Sequence, residues 1–390
     1  MNNLNLKKNK KILRITTSLN NYSGGIPRMV IDQTNELIKR GYNVEVVTLD
    51  KKLFFREKIL FKIIKLGQDK KINRLSLKLF IWLLKNRKKY DLILIDGIWE
   101  FNTLVARLLF KKKYIVFIHG QLDPYFSTEF IKKIKKKIYW FLIERRNLLF
   151  SKFVILSGDE EVKMFQNTFV DTKKINFRNI DYGVTKYKFK NLRYSKIKIK
   201  KKYNLLLNKK YILFIGRIHK KKGCDLLINA IKEMDLSYNF KIVIAGFLDN
   251  SLYERKILNF IKKNNLHNDI WTLPFLDREE KFTLIKNSQC TILPSRGENF
   301  GITVVETLMM KKIPIITSKV GIYKIIKSFN AGLIFNPNIN SLKKTLKIFF
   351  NLSSKKRKLI EENALNCYNN FFSSRTTIVK LEKIIDENII

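Results

Sequence analysis

Short runs that are apolar at every position recur along this chain and stop close to a glycine, as in Ile115-Val116-Phe117-Ile118 just ahead of Gly120. A strand without a polar face must be covered on both sides, which is the condition of a parallel sheet wrapped by helices. Between such runs the apolar residues change to helical spacing. Residues 28–40 carry Met29, Val30, Ile31, Leu37 and Ile38, stop at Gly41, and give way to a strand-like run at 43–49. Strands are predicted at 11–17, 43–49, 90–95, 114–118 and 152–156, and again at 211–215, 241–245, 270–273, 290–293 and 313–317. Gly97, Gly120, Gly183, Gly216 and Gly246 read as turn positions, most of them within a residue or two of a strand's carboxyl end. Two βα arrays in tandem predict an α/β chain with two doubly wound, Rossmann-like sheets. Ligands of such sheets bind at the strands' carboxyl edges, so the expected site is a cleft across which the two edges face each other.

At 390 residues the chain exceeds one ordinary core, and 45% hydrophobic residues are enough to pack two. The expected domains are 1–205 and 206–370, with a helix at 371–390 crossing back to the first. Residues 186–210, heavily basic and without Gly or Pro, read as the linker together with a preceding edge. Cys224, Cys290 and Cys367 are odd in number and far apart, which fits neither a disulfide framework nor a zinc site and suits a reducing compartment. The basic N-terminus runs into residues 11–17 without a signal-peptide core, and apolar stretches such as 79–84 fall far short of the ~18 residues of a membrane span. A cytoplasmic protein is expected, soluble or peripheral on the inner face of the membrane.

Lys and Arg number 78 against 33 Asp and Glu, a formal charge of +45. Three causes stand beside one another: a Lys-, Asn- and Ile-rich coding bias, attraction to an anionic membrane, and nucleic-acid binding. No nucleic-acid recognition module is recognisable, so that partner is not expected. Residues 130–150 interleave Phe130, Ile131, Ile134, Ile138, Phe141 and Leu142 with Lys132, Lys133, Lys135, Lys136 and Lys137. This is either a helix resting on anionic lipid or an ordinary helix with its apolar face in the core.

Four constellations carry chemistry. Pro294-Ser-Arg-Gly-Glu298-Asn299-Phe300-Gly301 leaves a buried-type strand and enters a helix that holds Glu306. Backbone amides at a helix start suit a diphosphate, and the two carboxylates suit vicinal hydroxyls. Gly216-Arg217-Ile-His-Lys-Lys-Lys222-Gly223 follows another strand, where Arg217 can fork onto phosphate and Lys222 supplies a point charge. Gly24-Gly25 after the first strand permits close backbone approach but is no Gly-x-Gly-x-x-Gly fingerprint. His119-Gly120-Gln-Leu-Asp-Pro124 lies at a further strand end, while His219 and His267 read as surface residues.

In this order the constellations resemble the GT-B glycosyltransferases of family 4, the retaining group 1 enzymes that build bacterial surface polysaccharides, over nearly the whole chain. The resemblance implies a GT-B fold with the acceptor side in 1–205 and the nucleotide-sugar side in 206–370. It implies that Arg217 and Lys222 bind the donor diphosphate, that Glu298 contacts the transferred sugar, and that Glu306 holds the ribose. Asn299, Phe300 and Gly301 would meet sugar and phosphate, Pro274 and Phe275 would receive the base, Gly24 and Gly25 would close over the diphosphate, and His119 would lie near the sugar. Catalytic roles are thus expected for His119 and Glu298. The partners implied are a UDP- or GDP-sugar and a glycan or lipid-linked glycan acceptor of lipopolysaccharide, capsule or exopolysaccharide, with an anionic membrane surface beside them. No cofactor or metal is implied, and no Asp-x-Asp triplet occurs in the sequence. Asn299 stands where many members have glycine, which bears on the donor's identity. The other functions weighed are a GT-B nucleotide-sugar epimerase or phosphorylase and a basic nucleic-acid-binding protein.

Overall fold

The computed structural model describes residues 10–20, 25–54, 58–67, 75–122, 130–168, 172–203, 209–234, 240–247 and 251–388, with backbone only at 130–133, 168 and 194. Two compact units result: Met1–Thr185 with Ser373–Ile390, and Lys186–Phe372.

The first unit holds a seven-stranded sheet of β1 (Lys11–Thr16), β2 (Asn43–Thr48), β3 (Lys62–Lys65), β4 (Leu92–Asp96), β5 (Tyr114–Phe117), β6 (Phe153–Leu156) and β7 (Phe177–Asn179), in the order β3-β2-β1-β4-β5-β6-β7. Every neighbouring pair is parallel. β4 and β5 are buried at every residue, as their unbroken apolar sequences require. One face of the sheet packs Leu13, Ile93, Val116 and Trp140 into one cluster. The other packs Ile12, Val44, Leu92 and Ile115 against Ile378, Leu381 and Ile385 of the helix Ser374–Asp386. That helix is tied in by Arg40 to Glu382 at 2.5 Å and by the Tyr42 hydroxyl to Asp386. A side chain at Gly183 would lie 2.0 Å from Thr377 Oγ1, so only glycine lets the chain pass beneath the helix there.

The second unit has six parallel strands, β8 (Lys210–Ile215), β9 (Phe240–Phe247), β10 (Ile270–Pro274), β11 (Cys290–Leu293), β12 (Ile313–Thr317) and β13 (Leu333–Phe335), in the order β10-β9-β8-β11-β12-β13. Both sheets are doubly wound α/β layers, as the alternation predicts. The edge strands β3, β7 and β13 were not expected.

Residues 186–210 are not a plain linker. They contain the helix Leu192–Tyr203, within the second unit, which buries Ile199 and bonds the helix Arg278–Asn287 through Ser195 to Glu279 and through Lys202 and Tyr203 to Glu280. Its lysines face solvent, while a few side chains do the anchoring.

The basic stretch 130–150 forms the helix Phe130–Tyr139, a π-turn Trp140–Glu144 and the helix Arg145–Leu149. Its inner side buries Trp140, Glu144 and Leu148, so part of it is ordinary core. Ile134, Ile138, Phe141 and Leu142 are exposed beside exposed Lys135 and Lys137. Among the described residues no helix is long and apolar enough to cross a membrane.

Candidate functional site

Of the expected donor residues, Arg217, Lys222, Glu298, Asn299, Phe300, Gly301 and Glu306 lie on the segments that follow β8 and β11 in the second unit. β11 is wholly buried and leads into Pro294, after which the loop is pinned by its backbone. The Arg296 N–H donates to Lys221 O at 2.8 Å, Glu298 N–H to Lys319 O at 2.9 Å, and Gly321 N–H to Glu298 O at 2.7 Å. Gly301 has φ +82°, a left-handed conformation that a side chain would strain, and it opens the helix Ile302–Met309 without a side-chain cap. The first amides of that helix are therefore free to meet an anion.

The loop after β8 lies against this one. A Cβ on Gly223, at φ +72°, would sit 2.0 Å from Pro294 O, so the contact between the loops depends on glycine. The Lys222 ammonium consequently reaches the Glu298 carboxylate, both side chains partly exposed. Arg296 forks onto Asp225 at 2.8 and 2.7 Å. Burial of Asp225 opposes its ionisation, but Arg296 and Tyr253 bond the carboxylate and hold it below its ordinary value. Arg217 is exposed and makes no hydrogen bond or ion pair among the described residues. The field here is positive: burial, together with Arg217, Lys221 and Lys222, holds the His219 imidazole below its ordinary value.

Glu306, one turn into its helix, has a side chain only 4% exposed and is paired with Lys281. Sequence reasoning missed Lys281, which nothing distinguishes among 78 cationic residues. Phe300 is buried against Phe372 at a ring distance of 5.7 Å, which makes its ring an anchor for the loop. Among the described residues neither buried polar atom of the Asn299 side chain has a hydrogen-bond partner, nor has Ser295 Oγ. Pro274 and Phe275 end the edge strand β10 and are exposed.

In the first unit, Gly25 precedes the helix Ile26–Lys39, whose first turn has no side-chain cap, and Gly24 lies outside the described residues. His119 has φ +55° and a ring only 1% exposed. Its Nε2 lies 2.9 Å from Asp96 Oδ1 and its Nδ1 2.5 Å from the Tyr182 hydroxyl. Both ring nitrogens are thus engaged within the unit. Asp96 in turn accepts two 2.7 Å bonds from Arg14, which projects from the middle of β1 and is fully buried. Burial alone would raise the Asp96 carboxyl, yet Arg14 and His119 overcome it and lower it to about 2. An arginine inside an apolar strand was the available signal for this network. Burial raises Glu144 to about 8 against hydrogen bonds from Thr103 and Asn147. Among the described residues no three His, Cys, Asp or Glu side chains are grouped to hold a metal ion.

Two family models match the chain: residues 195–366 fit "Glycosyl transferases group 1" and residues 23–175 fit "Glycosyltransferase Family 4". An O-antigen biosynthesis glycosyltransferase, WclY, of Escherichia coli is 28% identical over 244 residues, which is 60% of this chain and 63% of that protein. The match thus spans less than two thirds of that relative's length. Among solved structures, a sucrose-phosphate synthase from Thermosynechococcus elongatus superposes with a TM-score of 0.78 at 16% identity, covering 97% of this chain and 98% of the other. Anabaena HepE in complex with UDP-glucose gives 0.76 at 15% identity, covering 97% and 99%. At such identities the likeness concerns the fold.

Proposed function

The chain belongs to the group 1 glycosyltransferases of the GT-B fold, and on that footing we propose that it moves a sugar from a nucleoside diphosphate to a glycan or lipid-linked glycan, with retention at the anomeric carbon. The observation that carries this reading is the meeting of two glycine-dependent loops, one carrying Arg217 and Lys222 and the other Glu298 and the uncapped start of the Glu306 helix, with Lys222 paired to Glu298. Arg217 and Lys222 take up the charge that builds on the departing diphosphate, so the reaction as proposed needs no divalent cation. Glu298 bonds hydroxyls of the sugar and Glu306 those of the ribose. The acceptor hydroxyl attacks the anomeric carbon as the bond to the phosphate oxygen breaks, and the departing phosphate oxygen takes the hydroxyl proton. A direct part for the His119 ring requires it to exchange Asp96 or Tyr182 for a sugar hydroxyl. The UDP-glucose in the HepE structure supports a nucleotide-sugar donor, and the name of the WclY relative supports an acceptor in O-antigen or similar surface polysaccharide.

The test is a panel of UDP- and GDP-sugars, read by thermal shift and by donor hydrolysis with and without EDTA. Stabilisation and turnover by one base series, insensitive to EDTA, are expected. Indifference to every nucleotide sugar overturns the reading. We also propose that the exposed Ile134, Ile138, Phe141 and Leu142, with their lysines, rest on an anionic membrane. Sedimentation with phosphatidylglycerol vesicles is expected at low salt and not with neutral ones. Failure to bind at low ionic strength removes that surface from the proposal.

A further inference from the structure

Glu306 is a buried carboxylate whose bonded side-chain partner, among the described residues, is Lys281. The lysine occupies Oε1, and among the described residues no side chain bonds Oε2. Removing one partner of a buried pair leaves the other without its bond, so the lysine is what holds this carboxylate in place.

Lys281 is itself held with care. Its helix, Arg278–Asn287, starts with a reciprocal cap in which Asp277 accepts from Glu280 N–H at 2.8 Å and Glu280 from Asp277 N–H at 3.0 Å. Glu280, 2% exposed, also bonds Lys202 at 2.5 Å and Tyr203 at 3.1 Å, both from the helix Leu192–Tyr203. Ser195 of that helix bonds Glu279 at 2.5 Å. Tyr187 stacks on Phe282 with ring centres 4.4 Å apart. The residues on either side of Lys281 in sequence are thus fixed by the basic segment 186–203, for which the donor site otherwise has no use.

We propose that Lys281 is a positioning residue for nucleotide binding: it takes one oxygen of Glu306 so that the other is presented to the ribose diol in a fixed direction, and the helix Leu192–Tyr203 sets its register. The inference rests on the reading that Glu306 holds the ribose. A carboxylate already fixed in its bound rotamer loses little freedom when the diol arrives, which favours binding.

The test is the preference for ribose over 2′-deoxyribose, measured by calorimetry with UDP and GDP and their 2′-deoxy analogues. The wild-type chain is expected to prefer the ribonucleotide by roughly ten- to hundredfold, the usual worth of a hydrogen bond to a charged group. In Lys281→Met the preference should fall to within about threefold while affinity for the deoxy compound stays near wild type, and Lys281→Arg should restore most of it. Lys202→Met, remote from the carboxylate, should lower the preference at least about twofold. A purely structural lysine, or one that contacts base or phosphate, would weaken ribo and deoxy binding together and leave the ratio unchanged; that result overturns the proposal. If Glu306→Gln abolishes the preference but Lys281→Met does not, the positioning role falls and the ribose reading stands. If the wild-type chain shows no preference, or binds neither nucleotide, both fall. Melting curves of each variant identify any that fail to fold.

Discussion

Asp96→Asn isolates the buried network of the first unit. The substitution keeps the shape of the side chain and removes its charge, leaving the Arg14 guanidinium fully buried without a counter-ion. Breaking one half of such a pair costs about 3–5 kcal/mol. The same contact with Arg14 lowers the Asp96 carboxyl from 3.8 to about 2, which corresponds to about 2 kcal/mol of stability. Because the carboxyl is depressed, that contribution is present above its unfolded value and is lost as pH falls through the folded one, between about pH 4 and pH 2. At about 2–4 °C per kcal/mol for a unit of this size, the variant should melt about 10 °C lower at pH 7. The assay is tryptophan fluorescence, since Trp82, Trp99 and Trp140 lie in the first unit and Trp140 is fully buried. Arg14→Met added to Asp96→Asn should recover part of the loss, because neither member of the pair then leaves a buried charge without its counter-ion. A melting point within about 2 °C of wild type, or a double variant less stable than the single one, refutes the reasoning.

Other expectations follow from the same geometry. Arg217→Ala should lower kcat/KM about 10²- to 10³-fold in donor turnover with an unchanged melting point, since the side chain is exposed and makes no bond that the fold uses. Burial raises Glu144 to about 8, so stability is lost as pH rises from its unfolded value toward 8. Glu144→Gln should therefore be more stable than wild type at pH 8.5, on the order of 5 kcal/mol, and no more stable at pH 4; melting at the two pH values checks this. Phe141→Glu combined with Leu142→Glu should weaken sedimentation with anionic vesicles at least about tenfold while the melting point holds, both side chains being exposed.

How much of this is legible in the sequence varies with how local the cause is. The central strands announce themselves because burial on both faces demands an unbroken apolar run, as in Ile115–Ile118. The edge strands β3, β7 and β13 carry three or four residues each and leave no such mark. The loops after β8 and β11 are legible as turns because their requirement is local: Gly301 and Gly223 sit at positive φ, and no other residue fits Gly223 against Pro294. The partners of the glutamates are not. Lys222 and Glu298 are 76 residues apart, and Lys281 and Glu306 are 25 apart. A lysine in so basic a chain gives no sign of which carboxylate it will meet. The helix Leu192–Tyr203 was hidden for the same reason: its hold on the fold comes from residues about 80 positions away.

The helix Ser374–Asp386 closes one hydrophobic layer of the first sheet, yet it follows the whole of the second unit in the chain. Order of synthesis and order of completion are therefore opposed. While the second unit emerges and folds on its own contacts, Ile12, Val44 and Leu92 wait in a layer that Leu37 and Tyr42 cover only in part. The rest of its cover arrives when residues 374–386 follow. The first unit is thus the earlier begun and the later finished, and during that interval its open layer is the place where a nascent chain of this kind is most exposed to aggregation or to a chaperone.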